Sequence, residues 1–255
     1  MNIGLVLSGG GVRGIAHIGV IKALEEMDIH PTHIAGTSAG AIVGALYASG
    51  IGWEEILDFF KSVEFFSFSN YAMNKPGLVD STKFYDKLKE FLPYDSFEDL
   101  KKPLYITTTN LLEGTLKVFQ SGELIWPLLA SAAVPGIFTP IKINNQYYID
   151  GGILNNFPVE LLKKNCDRIV GVYVNPLGKE KIENLTHSYR ILERAYHIKM
   201  ANESSSKFEE CDVLIHPKDI GDYKLFSVKN ADAIFQLGYK AAKEALKNTD
   251  TLKIS

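Results

Sequence analysis

The sequence predicts an α/β domain built on parallel strands, and three observations carry that prediction. Short apolar strands alternate with helices from residue 3 onward, the pattern of βαβ units. The links between them are short, which implies parallel strands joined by right-handed crossovers. Composition completes the argument: of 255 residues, 46% are hydrophobic and 22% charged, the balance of a globular chain rather than a disordered or fibrous one. A chain of this length buries roughly 70–75% of its unfolded surface and needs neither disulfides nor a structural metal. No Pro/Gly/Ser linker, repeat or low-complexity tract divides it, so residues 1–255 are expected to form a single domain.

The elements follow in order. Ile3–Leu7 is an apolar strand bounded by glycines, and Gly14–Met27 repeats apolar residues at three- and four-residue spacing, as a helix with one buried face does. His33–Ala35 is a second strand, followed by a helix of small apolar residues over Ala39–Ala48. The stretch from about 53 to 92 breaks the alternation. It reads as helices at Glu54–Val63 and Thr82–Leu92, the second capped by Asp80 or Ser81, around an irregular aromatic segment, Phe65–Gly77. Phe59 and Phe60 are expected in the core. Phe65, Phe66, Phe68 and Tyr71 are expected in a mobile cap rather than the core, because polar residues interleave the phenylalanines without a period. Beyond it, Leu104–Leu112 and Thr115–Phe119 form a hairpin, and Glu123–Ala133 is a helix that stops before Pro135. Ile141–Ile143 pairs with Gln146–Ile149 across Asn144-Asn145. Strands at Arg168–Val174 and Val213–His216, with helices at Ser188–Asn202 and Ala231–Leu246, complete the chain.

Charge and cysteine usage narrow the function classes. The net charge of −3 argues against nucleic acid, which calls for a basic patch. Cys166 and Cys211 have no metal-ligand spacing and read as reduced thiols of a cytoplasmic protein. The apolar run at Ile3–Leu7 is too short for a signal peptide, and no run approaches a transmembrane span. A peripheral contact with the inner face of a membrane is compatible with all of this.

Three motifs carry chemistry. Gly9-Gly10-Gly11-Val12-Arg13-Gly14 follows a strand and opens a helix. A dinucleotide reading of that loop requires an acid at the end of the next strand, whereas that strand ends in Gly36-Thr37-Ser38. Glycine amides at a helix N-terminus also stabilise any other anion, a transient oxyanion included. Gly36-Thr37-Ser38-Ala39-Gly40 is a G-x-S-x-G turn, in which a nucleophile sits on strained backbone between glycines that relieve clashes. Its strand should lie about 4.8 Å from the first, which brings Ser38 beside the glycine loop. Asp150-Gly151-Gly152 ends a later strand and supplies a carboxylate with room for tight approach. None of His17, His30, His33, His187, His197 and His216 sits in a glycine-bearing loop that would aim it at Ser38; His216, at a strand end, comes nearest to the requirement. Two rivals are a Ser-His-Asp esterase of the α/β-hydrolase type, whose elbow lies deeper in the chain, and a non-catalytic lipid- or acyl-binding protein.

In this order the three motifs resemble the signatures of the patatin-like phospholipase family. The resemblance continues through Ser131-Ala132-Ala133-Val134-Pro135-Gly136-Ile137-Phe138-Thr139-Pro140 and Leu237-Gly238-Tyr239-Lys240-Ala241-Ala242, and so covers nearly the whole chain. It implies a three-layer α/β/α fold with a mostly parallel central sheet and a helical cap insertion at about 53–92. It also implies a lipid or acyl-ester substrate cleaved through an acyl-enzyme by a Ser-Asp dyad, with no cofactor or metal. By motif position Ser38 is the nucleophile and Asp150 the base. The Gly10 and Gly11 amides, with Gly9 as a further candidate, form the oxyanion hole, and Arg13, Gly14, Gly36, Gly40, Gly151 and Gly152 support it. Arg13 has an equal alternative as a surface ion-pair partner. Which lipid is cut and how the chain assembles stay open at this level.

Overall fold

The structure is a computed structural model, and it describes residues 1–62, 84–223, 225 and 228–247. Among these, one sheet contains eight strands: β1 (Ile3–Leu7), β2 (His33–Thr37), β3 (Leu104–Asn110), β4 (Thr115–Phe119), β5 (Ile141–Ile143), β6 (Gln146–Asp150), β7 (Arg168–Val172) and β8 (Val213–Ile215). The hydrogen-bonded neighbours run β5-β6-β3-β2-β1-β7-β8, and β4 also pairs with β3. From β3 to β8 all pairs are parallel, while the pairs made by β4, β5 and β6 are antiparallel. β1 is buried along its whole length, as a central parallel strand must be, and its side chains alternate between two cores. Leu5 and Leu7 enter the larger core, while Val6 enters the smaller one with Ala35, Phe157 and Tyr173.

The described helices are α1 (Ile15–Glu26), α2 (Ala39–Ser49), α3 (Trp53–Ser62), α4 (Tyr85–Phe91), α5 (Ile125–Ser131), α6 (Ser188–Ser205) and α7 (Ala231–Leu246). α1, α2, α3, α5 and α7 all contribute to the larger core, and the turn at Phe157–Leu162 with Phe208 covers the other face. α1 and α7 pack backbone to backbone. A Cβ on Gly19 would fall 2.1 Å from the Phe235 carbonyl, and one on Gly238 would fall 2.0 Å from that of Ala16. α2 is buried from Ala39 through Ala48, which explains why its sequence is apolar all round rather than amphipathic.

The strand and helix assignments agree with the expected order, with ends moved by a few residues. β2 extends to Thr37, β6 includes Asp150, and α6 runs on to Ser205. Phe59 and Phe60 are core residues, as expected. The expected cap falls only partly within the described residues: α3 and α4 frame it, whereas Phe65, Phe66, Phe68 and Tyr71, the segment Phe65–Gly77 and the Asp80/Ser81 cap lie outside them.

Register positions the site. β2 pairs with β3 as far as Thr37 opposite Thr107, and β6 pairs with β3 as far as Asp150 opposite Thr108. β4 pairs with β3 from Ile106 to Asn110, overlapping both neighbours, so β2 and β6 must share the opposite edge. They approach along that edge from opposite directions and end on adjacent rungs. Ser38 and Asp150, far apart in the chain, therefore meet.

Candidate active site

Ser38 occupies the turn from β2 into α2 with φ 54° and ψ −125°, backbone that a non-glycine residue adopts only at a cost of about 1–3 kcal/mol. Close packing holds it there. A Cβ on Gly36 would fall 2.7 Å from the Gly40 carbonyl, and one on Gly40 would fall 2.3 Å from that of Leu7. The Ser38 N–H donates to Ser131 Oγ at 2.8 Å, and the Ser38 carbonyl accepts from Ala41 and Ile42. The residue is buried but for 6% of its surface.

Asp150 closes β6, and its carbonyl accepts from Thr109 Oγ1 at 3.0 Å while its N–H donates to the Ala133 carbonyl. Gly151 must be glycine, because a Cβ would lie 2.3 Å from the Thr107 carbonyl. The carboxylate accepts the Gly152 N–H at 2.7 Å and interacts with the Ser38 hydroxyl. Burial pushes this carboxyl up from 3.8 to about 6, against the smaller downward pull of those two donors. A carboxylate of that basicity accepts a proton near neutral pH far better than an unperturbed Asp does.

The glycine loop lies alongside. A Cβ on Gly14 would fall 2.7 Å from Ala39 Cβ, so the starts of α1 and α2 meet as the sequence requires. The amides differ in availability. Gly9 N–H donates to the Asn156 carbonyl at 3.3 Å, so of the three glycine amides this one already has an acceptor. Gly10 and Gly11 N–H have no acceptor among the described residues. Gly11 has φ 55°, and a Cβ there would meet the Leu225 carbonyl at 2.5 Å.

Arg13 is not at the surface, so the ion-pair alternative does not describe it, and it packs beside the glycine loop. It is buried, and its guanidinium donates to the Tyr223 and Gly221 carbonyls at 2.8 and 2.9 Å and to Asn175 Oδ1 at 3.4 Å. It clamps the segment after β8 against the glycine loop; among the described residues it has no ion-pair partner. The histidines are engaged elsewhere. His17 reaches the Ser8 carbonyl, His30 bonds Asp28, His33 bonds Thr32 and His187 bonds Thr186. His216 packs edge-on against Tyr173, and His197 lies beside Tyr196 on α6. Both have their pKa lowered by burial. Ser131, which anchors the Ser38 amide, was not singled out from sequence; it opens the segment running to Pro140, which was the available signal.

Ser38 lines a pocket with apolar walls, Ile42, Phe60, Phe84, Leu129, Val134 and Phe138, together with Gly11 and Ala39. Such walls accept a hydrocarbon chain and offer nothing to a charged group. No group of three or more metal-ligating side chains occurs among the described residues, and no described helix is long and apolar enough to cross a membrane. Cys166 and Cys211 are unpaired and half-buried, and desolvation pushes their thiols up to about 11 and about 12, away from the reactive thiolate form.

An uncharacterized NTE family protein of Mycobacterium tuberculosis is 33% identical over 177 residues, covering 68% of this chain and 49% of that one. The lysophospholipase NTE1 of Scheffersomyces stipitis is 33% identical over 179 residues, covering 68% of this chain and 12% of that one. The chain thus spans about half the length of the mycobacterial relative and a small part of the yeast one. In fold it is similar to VipD from Legionella pneumophila (TM-score 0.62, 17% identity, 96% of this chain and 67% of that one). The type III effector protein ExoU is a more distant neighbour (TM-score 0.53, 17% identity, 96% and 53%). The family model for patatin-like phospholipase matches residues 5–163, which span the glycine loop, Ser38 and Asp150, and the chain belongs to that family.

Proposed function

We propose that this chain is a lipid acyl hydrolase working through a Ser38–Asp150 dyad. The observation that carries the reading is a buried carboxyl of raised basicity facing a strained serine hydroxyl that lines an apolar pocket. The acyl chain lies against Ile42, Phe60 and Leu129, which sets the ester carbonyl at Ser38. Ser38 Oγ attacks that carbon as its proton passes to Asp150, and the tetrahedral oxyanion is met by the Gly10 and Gly11 N–H groups. Asp150 then returns the proton to the departing alcohol, leaving an acyl-serine. A water gives its proton to Asp150 and attacks the acyl carbon, and Ser38 recovers its proton as the fatty acid departs. Asp150 alternates between base and acid, and a carboxyl near 6 serves both roles near neutral pH. The single-domain reading of residues 1–255, with a cap near 53–92, belongs to the same proposal.

The test compares wild type, Ser38→Ala and Asp150→Asn on a soluble p-nitrophenyl butyrate and on a lysophospholipid. Each variant should lose several orders of magnitude in kcat, and a fluorophosphonate probe should label Ser38 alone. A Ser38→Ala variant keeping a tenth of wild-type kcat would exclude the serine. The engagement of all six histidines elsewhere disfavours a Ser-His-Asp triad, so His216→Ala should keep full activity.

A further inference from the structure

We infer that His17 is a positioning residue for the glycine loop, which it aims by holding the Ser8–Gly9 peptide plane from the carbonyl side. The inference rests on the dyad reading above, in which the Gly10 and Gly11 amides receive the oxyanion. His17 is fully buried on α1, and its Nε2 lies 2.8 Å from the Ser8 carbonyl oxygen. A carbonyl only accepts, so Nε2 carries the hydrogen and the ring is held in that tautomer. Nδ1 is then a buried acceptor without a partner among the described residues. Such an atom costs free energy that a leucine or phenylalanine at this core position would not incur. The Ser8 contact is what the imidazole supplies and a hydrocarbon does not.

The same peptide is held at its other end, because the Gly9 N–H donates to the Asn156 carbonyl. Ser8 is further fixed by its own N–H to the Val172 carbonyl and by its Oγ, which accepts from the Val174 N–H at 3.0 Å. A peptide group is planar, so bonding both its oxygen and its hydrogen removes the rotation that would swing the following residues. Gly10 and Gly11 follow at once, and being glycines they have no side chain to resist that swing. The position leaves no room for a side chain, since a Cβ on Gly9 would fall 2.4 Å from Asn156 Oδ1 and 3.2 Å from Ser38 Cβ. The oxyanion donors are thus oriented by α1 on one side and by the segment after Asp150-Gly151-Gly152 on the other.

The test uses the full chain with His17→Phe, which fills the core without a donor, and His17→Gln, whose amide N–H restores one. His17→Phe should lower kcat on p-nitrophenyl butyrate about 10- to 100-fold with KM nearly unchanged, because a misaimed donor affects only the transition state. His17→Gln should recover most of that loss. A readout independent of turnover is amide hydrogen exchange at Gly9, which should be at least about tenfold faster in the Phe variant and near wild type in the Gln variant. His17→Leu serves in the same comparison if the phenylalanine does not fold. Wild-type kcat and Gly9 exchange in the donor-less variant, or a Gln variant as impaired as the Phe variant, would overturn the inference. A failure of the dyad reading looks different: Ser38→Ala would stay active while Gly9 exchange still responded to His17.

Discussion

Asp150→Asn should stabilise the protein while abolishing its activity, and the effect should depend on pH in a defined way. The folded carboxyl sits at about 6 instead of its ordinary 3.8 because burial disfavours the charged form. The folded state therefore binds the proton more tightly than the unfolded chain does. Below about pH 4 both states are protonated and folding loses nothing. As pH rises, the unfolded chain ionises first, and stability is lost progressively until the folded carboxyl ionises as well. Above about pH 6 the full cost is present. At about 1.4 kcal/mol for each tenfold difference in proton affinity it reaches about 3 kcal/mol. Asparagine keeps an oxygen for the Gly152 N–H, carries no charge at any pH and removes that cost. For a chain of this length 1 kcal/mol moves the midpoint by about 2 °C, so the variant should melt up to about 6 °C above wild type at pH 8. At pH 4 the two should coincide. Thermal melts at both values, with esterase assays on the same samples, make the check. A variant that melts at or below wild type at pH 8, or shows the same gain at pH 4, would refute the assignment of Asp150 as a desolvated, ionised base.

The remaining predictions concern the same centre. The base must be ionised to accept a proton, so log kcat/KM should rise with slope one to a plateau with a midpoint near pH 6, as Asp150 dictates; a midpoint near 4 in a pH–rate profile would count against it. Ser38→Gly should remove activity yet raise stability by about 1 kcal/mol in chemical denaturation, because glycine relieves the backbone at φ 54° and ψ −125°. Exhaustive dialysis against EDTA should leave kcat on a soluble ester unchanged; loss restored by one specific divalent ion would contradict a metal-free dyad.

Much of this was legible in the residues because it is locally encoded. Apolar runs, glycine punctuation and helical spacing reflect only what each segment buries and which turns its backbone can make. Strands β1, β2 and β7 and helices α1, α2 and α7 were recognisable from such patterns. Ser38 and Asp150 were marked in the same way, since glycines beside a serine or an aspartate declare a turn that must be tight. What escaped depends on contacts between distant segments. Register alone ends β2 and β6 on adjacent rungs of β3 and brings Ser38 to Asp150, and burial of the carboxyl in the folded chain raises its pKa. The commitment of Gly9 to Asn156, the clamp made by Arg13 and the anchor at Ser131 each join residues more than ninety positions apart. The sequence by itself determined the α/β alternation and which residues are candidates for chemistry, because turns and periodicities are local physics. Only the tertiary structure decided which amides remain available, how basic the carboxyl becomes and what holds the loop, because burial and hydrogen-bond partners exist only once distant segments have packed.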